Sequence, residues 1–264
     1  MLRPSPEDNP ICFLRPRRTA LSAWIEHVPF GMYLIDLLRP ASIVELGTRN
    51  GVSYSAFCQA VRHLGIAACC VAVDSWHGDP HTGAYSPSVL DELRLHHDPL
   101  YGSFSRLQQG TFDEAVTGFD DASVDLLHID GFHTYEAASR DFRTWLPKLS
   151  SRGVVLFHDI AEHGRDFGVW RLWAELSGRY PSFAFHHGHG LGVLAVGADV
   201  PDAVLGILSL PQVEARRFRR FFHREGRRAA YQVTLDLALS LPARSVAAAL
   251  RLSRKLGLSP VSGG

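Results

Sequence analysis

Five short strand-like segments within the first 160 residues, at 42–46, 69–74, 104–108, 124–130 and 153–159, each end on a polar residue or run directly into a glycine. Most of the stretches between them space their apolar residues helically, as in Tyr54, Phe57, Cys58, Val61 and Leu64, or Tyr135, Ala138, Phe142, Trp145 and Leu146. Strands that alternate with helices build βαβ units and a parallel sheet, and near-continuous apolar strands fit a sheet covered on both faces. After a further helix expected at 169–176 the pattern changes. The runs 183–187 and 191–196 are joined only by Gly188, His189 and Gly190, which is too short for a crossover helix and predicts an antiparallel hairpin. The expectation is therefore an α/β fold with a mostly parallel seven-stranded sheet closed by a terminal antiparallel hairpin.

The flanks read differently. Residues 1–20 carry four prolines and are expected to form a loosely held arm, while 21–38 reads as a leading helix that opens the main domain, 21–200. Residues 201–264 are expected to form a basic extension of two or three amphipathic helices. From 211 onward there are eleven Arg/Lys against three Asp/Glu in a chain of zero formal charge, so this tail is +8 and the rest is −8. Arg216 to Arg224 interleaves arginines with Phe218, Phe221 and Phe222. That pattern suits packing on its own domain or on a second copy, contact with a membrane surface, or, least of all on an acidic body, nucleic acid. With 46% hydrophobic and 20% charged residues in 264, disordered, collagen-like and coiled-coil chains are excluded. Cys12, Cys58, Cys69 and Cys70 form no C-x-x-C pair, which argues against a zinc knuckle. No run approaches the ~20 apolar residues of a spanning helix, and the start lacks a signal-peptide core, so a cytoplasmic protein is expected.

In an open α/β sheet ligands gather at the carboxyl ends of the strands. The first strand ends in Glu45-Leu46-Gly47-Thr48-Arg49-Asn50-Gly51 and runs straight into a helix, so its glycines permit a sharp turn and close approach to a ligand. No Gly-Lys-Ser/Thr follows, which excludes a P-loop, and the spacing departs from G-x-G-x-x-G. Here E-x-G-x-x-x-G resembles the first motif of class I S-adenosylmethionine-dependent methyltransferases. The resemblance implies a Rossmann-like fold and S-adenosyl-L-methionine as cofactor. It places Glu45, Gly47, Thr48, Asn50 and Gly51 in the first loop, Asp74 on the ribose with Ser75 and Trp76 beside it, Thr111 and Asp113 near the adenine, and Asp130 at the far end. Asp74 reads equally as a loop carboxylate, and Thr111 or Asp113 as a helix cap.

The fourth and fifth strands end in His128-Ile129-Asp130-Gly131-Phe132-His133 and Leu156-Phe157-His158-Asp159. Neighbouring strands lie ~4.8 Å apart, so Asp130 and Asp159 could face one hard divalent cation, Mg²⁺ or Mn²⁺, with His158 a tolerable third ligand. This layout resembles the metal-dependent O-methyltransferases that act on sugar hydroxyls of macrolides, aminocoumarins and polysaccharides, over roughly residues 40–197. In that branch an I-D-G segment and an acidic pair hold the metal, and here the pair reads His158-Asp159. The resemblance implies methylation of a hydroxyl on a sugar, glycoside or related natural product. His133, just past the strand end and three residues from Asp130, is the candidate base, since an imidazole suits proton uptake near neutrality, with a metal or substrate contact as its next reading. The loop 76–85 would form a lid carrying His81 and Tyr85, and the turn with His187 and His189 would open on the same side. Competing readings are an N-methyltransferase, a protein that binds S-adenosylmethionine without turnover, or a nucleotide-sugar or dinucleotide enzyme. A small-molecule or glycan acceptor and a homo-oligomer are the expected partners.

Overall fold

The computed structural model describes residues 5–240. Seven strands form one sheet: β1 (Ser42–Leu46), β2 (Cys69–Asp74), β5 (Ser105–Gln109), β6 (Val124–Ile129), β7 (Leu149–His158), β8 (Ser182–Phe185) and β9 (Leu191–Ala195). Their order is β5-β2-β1-β6-β7-β9-β8. The first five are parallel, while β9 runs antiparallel to both β7 and β8. Two residues each of β3 (Gly78–Asp79) and β4 (Gly83–Ala84) pair into a separate miniature hairpin.

Alternation along the strands divides the core. On β1, Ile43 joins one apolar cluster and Val44 the other, and on β2 Cys70 and Ala72 face opposite to Val71 and Val73. One face is covered by α1 (Val28–Leu38) and α2 (Val52–Leu64), the other by α5 (Tyr135–Trp145) and α6 (Val169–Ser177). Local chemistry sets the helix ends. Gly51 and Gly65, both left-handed, bracket α2, and the Thr134 hydroxyl accepts the Ala137 N–H to start α5.

Three expectations are corrected. The arm is held: Ile11 and Cys12 are buried against α1, and Asn9 donates to Asp36 at 2.6 Å. The leading helix is α1 with a 3-10 turn, Ala23–His27, before it. The C-terminal extension is not a separate appendage through residue 240. Helices α7 (Asp202–Leu208) and α8 (Gln212–Ser240) bury Val204, Phe218, Phe221 and Phe222 in the same cluster as Phe30, Tyr33 and Phe185. Each such aromatic contributes about 1.5–3 kcal/mol by leaving water. The helices expected in 241–264 lie outside the described residues. Helix α3 (Ser88–Tyr101) and the short α4 (Phe112–Ala115) complete the described chain.

Candidate active site

β1 pairs with β2 on one side and β6 on the other, so the chain's crossovers diverge at its carboxyl end. A cleft opens there, at the topological switch point of the sheet, with a volume of about 690 Å³.

The glycine loop forms one wall. Gly47 has φ +88°, its N–H donates to the Val73 carbonyl at 2.9 Å, and a Cβ on it would lie 2.1 Å from the Asp130 carbonyl oxygen. No larger residue fits. Asp74 organises the loop: Oδ2 accepts the N–H groups of Thr48 and Arg49, both at 2.8 Å, and Oδ1 accepts Trp76 N–H at 2.7 Å. Three of about four acceptor positions of the carboxylate are thereby used, leaving room for one ligand hydroxyl. The Thr48 hydroxyl, lining the cleft, is buried without a partner among the described residues. Such an orphaned donor and acceptor beside a glycine cradle fits a polar ligand.

The opposite wall carries the acidic cluster. β6 delivers Asp130 and β7 delivers His158 and Asp159, with Asp159 in the left-handed region at φ +61°. His158 Nδ1 stands 3.2 Å from both Asp130 Oδ1 and Asp159 Oδ2. Its Nε2 lies 2.9 Å from the Gly188 carbonyl, which only accepts, so Nε2 carries a hydrogen. His133 Nε2 is 2.9 Å from Asp159 Oδ2 and 3.8 Å from Asp130 Oδ1, and His189 Nδ1 is 3.3 Å from Asp159 Oδ1.

Two buried carboxylates this close repel unless positive charge intervenes. Burial would lower the His158 pKa, but Asp159 and Asp130 outweigh it and hold it well above the ordinary value. Burial likewise opposes a rise in the His133 pKa, but the same two carboxylates outweigh it and lift that imidazole to about 9. Against their own desolvation, the imidazolium of His158 and the hydrogen bonds from His133 keep Asp130 and Asp159 below the usual carboxylate range. Without a metal, two imidazolium protons offset two carboxylates. A divalent cation supplies the same charge, and Asp130, His133 and Asp159 each offer a ligand atom within 4.8 Å of the others. His158 stands against both acids with Nδ1 facing them, a position open to a ligand once that nitrogen is deprotonated.

An aromatic wall closes the third side. His133 stacks on Phe167 at 4.6 Å, His81 stacks on the same ring at 4.7 Å, and Phe132 lies 4.7 Å from His81. Arg49 sits over Tyr85 at 5.4 Å.

Of the positions anticipated from sequence, Gly47, Thr48, Asn50, Gly51, Asp74, Ser75, Thr111, Asp130, His81, Tyr85, His133, His158, Asp159 and His189 line the cleft. Four do not. Glu45 is fully buried behind the loop, where its Oε2 accepts from His128 Nδ1 at 2.8 Å while His128 Nε2 accepts from the Trp24 indole at 3.1 Å. Trp76, at φ +53°, turns away to pack on Leu90 and Leu93 and donates to the Arg49 carbonyl, so its indole does not line the cleft. Asp113 points outward to Arg140, and Thr111 also forms a capping box with Glu114. His187 belongs to a neighbouring cavity. Sequence reasoning missed Phe112, Phe132 and Phe167, and the 21–23 segment that borders the cleft. Phe112 was findable as the aromatic just past the β5 turn, whereas Phe132 and Phe167 carry no spacing signal.

A sheet of this order, with a glycine turn after its first strand and an acid after its second, is the arrangement of the class I S-adenosylmethionine-dependent methyltransferase fold. Residues 44–160 match the family described as a methyltransferase domain. It is 50% identical over 185 residues to an uncharacterized Sinorhizobium fredii protein, y4gI, covering 69% of this chain and 20% of that one. It is 30% identical over 142 residues to the 8-demethyl-8-(2,3-dimethoxy-alpha-L-rhamnosyl)-tetracenomycin-C 4'-O-methyltransferase of Streptomyces olivaceus, covering 46% of this chain and 54% of that enzyme. The chain thus spans a fifth and about half of the lengths of these curated relatives. In fold it is similar to the O-methyltransferase TomG of Streptomyces achromogenes, with a TM-score of 0.51 at 17% identity over 68% of this chain and 82% of that one. Among the described residues no helix is long and apolar enough to cross a membrane.

Proposed function

We propose that this chain is a divalent-cation-assisted O-methyltransferase that uses S-adenosyl-L-methionine to methylate a hydroxyl of a sugar or glycosylated natural product. The observation that carries the reading is the convergence in one cleft of the Gly47 to Gly51 loop and the Asp130, His133, His158 and Asp159 cluster. The similarity to a rhamnosyl O-methyltransferase supports a sugar hydroxyl as acceptor.

The loop and Asp74 would hold the cofactor, whose sulfonium supplies an activated methyl group and leaves as a neutral thioether. Asp130 and Asp159, with His133 or His158, would hold Mg²⁺ or Mn²⁺, which supplies charge stabilisation for an acceptor alkoxide. The remaining task is to take the acceptor's proton. His133 is placed for it, since it lines the cleft with its Nε2 at the acidic cluster and its Nδ1 has no hydrogen-bond partner among the described residues. In the metal-free cluster this imidazole is cationic at neutral pH and cannot serve as a base. A neutral His133 would leave one ring nitrogen able to accept from a hydroxyl, and a bound cation would supply the positive charge that the imidazolium proton otherwise provides. Phe167 and His81 fix the plane of the ring by stacking and exclude water from it.

The test is titration calorimetry with S-adenosylhomocysteine, followed by methyl transfer to a panel of glycosides after chelation and again after Mg²⁺ or Mn²⁺ is restored. Cofactor binding with turnover only in the presence of the cation is expected. Turnover undiminished in excess chelator refutes the role given to the cation, and absence of S-adenosylhomocysteine binding refutes the whole reading.

A further inference from the structure

Behind the β8–β9 turn lies a second cavity of about 540 Å³. One wall is a single face of α8, because Arg219, His223 and Arg227 recur every four residues and Arg220 flanks the row. The opposite wall is the turn itself, with His187. Three guanidiniums therefore face the cavity against one carboxylate, that of Glu26, which lies 3.9 Å from His223 Nε2. Burial lifts the Glu26 pKa, while His223, Arg227 and His189 pull it back.

This wall is built rather than merely solvated. Arg219 Nε donates to the Ala184 carbonyl at 2.6 Å, and its guanidinium stacks over Phe183 at 4.4 Å. Its terminal N–H groups are thus held in a fixed fork, the geometry that binds planar or tetrahedral oxyanions. His187 is stacked between His27 at 4.7 Å and His223 at 4.9 Å, and its buried Nε2 has no hydrogen-bond partner among the described residues.

The cavity adjoins the candidate active site. Ala23 and His189 line both, and the Gly188 carbonyl that fixes His158 from one side also meets His27 Nε2 at 3.1 Å. One turn separates the acidic cluster, where a hydroxyl would react, from a pocket of opposite sign.

We infer that this pocket is an oxyanion subsite for the acceptor: the substrate carries a phosphate ester or a carboxylate that docks on Arg219, Arg220 and Arg227 while its hydroxyl enters the cleft. The inference rests on the methyltransferase reading for the word acceptor and on the cavity's own chemistry for the anion.

The experiment is titration calorimetry of the full chain, loaded with S-adenosylhomocysteine, against glucose, glucuronate, glucose 6-phosphate and inorganic phosphate, and against phosphatidylglycerol vesicles. One or both anionic sugars are expected to bind at least tenfold more tightly than glucose, glucuronate marking a carboxylate ligand and glucose 6-phosphate a phosphate ester. That preference should fall at least tenfold in Arg220→Gln/Arg227→Gln and be partly restored in Arg220→Lys/Arg227→Lys. The melting temperature and S-adenosylhomocysteine affinity of each variant report that fold and cofactor site are intact, and Arg219→Gln is read separately because that side chain also packs. Equal binding of glucose and the charged sugars overturns the proposal. So does binding of inorganic phosphate alone, or arginine-dependent binding of vesicles in place of sugars. Failure of the parent to bind S-adenosylhomocysteine would strike the methyltransferase reading, whereas these anion titrations, repeated without it, would still report on the pocket.

Discussion

Replacement of Gly47 by alanine tests how tightly the cofactor loop is pressed against the acidic strand. An alanine at φ +88° carries left-handed backbone strain of about 1–2 kcal/mol. Its Cβ would stand 2.1 Å from the Asp130 carbonyl oxygen, whereas ordinary carbon to oxygen contacts lie at about 3.3 Å, so the two strand ends must separate by about 1 Å. The neighbouring Asp130 N–H to Leu46 carbonyl bond, 2.8 Å, is stretched by that movement and adds about 1 kcal/mol. The total, about 2–3 kcal/mol, corresponds to a melting temperature lower by roughly 4–12 °C in a domain of this size. If the loop must close to bind, it also corresponds to S-adenosylhomocysteine affinity lower by about 30–150-fold. Gly65→Ala is the control, since Gly65 is also left-handed at φ +62° but nothing lies within 4 Å of its added Cβ. It should show the strain alone and leave cofactor affinity unchanged. The reasoning is refuted if Gly47→Ala melts within 2 °C of Gly65→Ala and binds S-adenosylhomocysteine within threefold of the parent.

Three further outcomes follow from other parts of the molecule. Asp141, buried on α5 and facing Asp113, has its carboxyl raised from 3.8 to about 7 by burial and then by that neighbour. A raised carboxyl pKa costs nothing below the unfolded value, costs progressively more from about pH 4 to 7, and reaches a ceiling of about 4 kcal/mol above 7. Asp141→Asn should therefore stabilise the protein in urea at pH 8 and become neutral at pH 4, and a pH-independent difference would contradict this. Asp159→Asn keeps the shape and tolerates φ +61°, so it should fold normally yet bind Mn²⁺ at least tenfold more weakly in calorimetry, with S-adenosylhomocysteine affinity retained. Cys69 is exposed whereas Cys12, Cys58 and Cys70 are buried, and burial lifts the Cys12 thiol to about 12. Mass spectrometry after brief maleimide treatment of the native protein should show a single adduct, at Cys69, against four adducts in guanidinium.

The sheet was readable in the sequence because its central strands are buried on both faces and stand out as continuous apolar runs, whereas the edge strand β5, Ser105-Arg106-Leu107-Gln108-Gln109, is partly exposed and carries a weaker signal. Asp130 and Asp159 were readable because strand ends face the cleft whatever the loops do. Helix α3 was not, since its buried residues include His97, which bonds Ser105 at 2.7 Å, and Pro99 interrupts the stripe. Trp76 was misplaced for a related reason. A residue two positions past a strand-end acid is expected to face the cleft, but the left-handed turn at Trp76 rotates the indole beneath α3. The aromatic wall of Phe132, Phe167 and His81 is assembled from loops distant in sequence, and no local spacing encodes such a meeting.

The left-handed backbone at Asp159 restricts position 159 in a way its charge alone would not. Only glycine, asparagine and aspartate occupy that conformation readily, and of these only aspartate carries charge. A saturation library at this codon would be screened twice, first by conformational tolerance and then by chemistry. Glutamate, the obvious conservative replacement, would carry left-handed strain of about 1–2 kcal/mol in addition to displacing the carboxylate by one methylene.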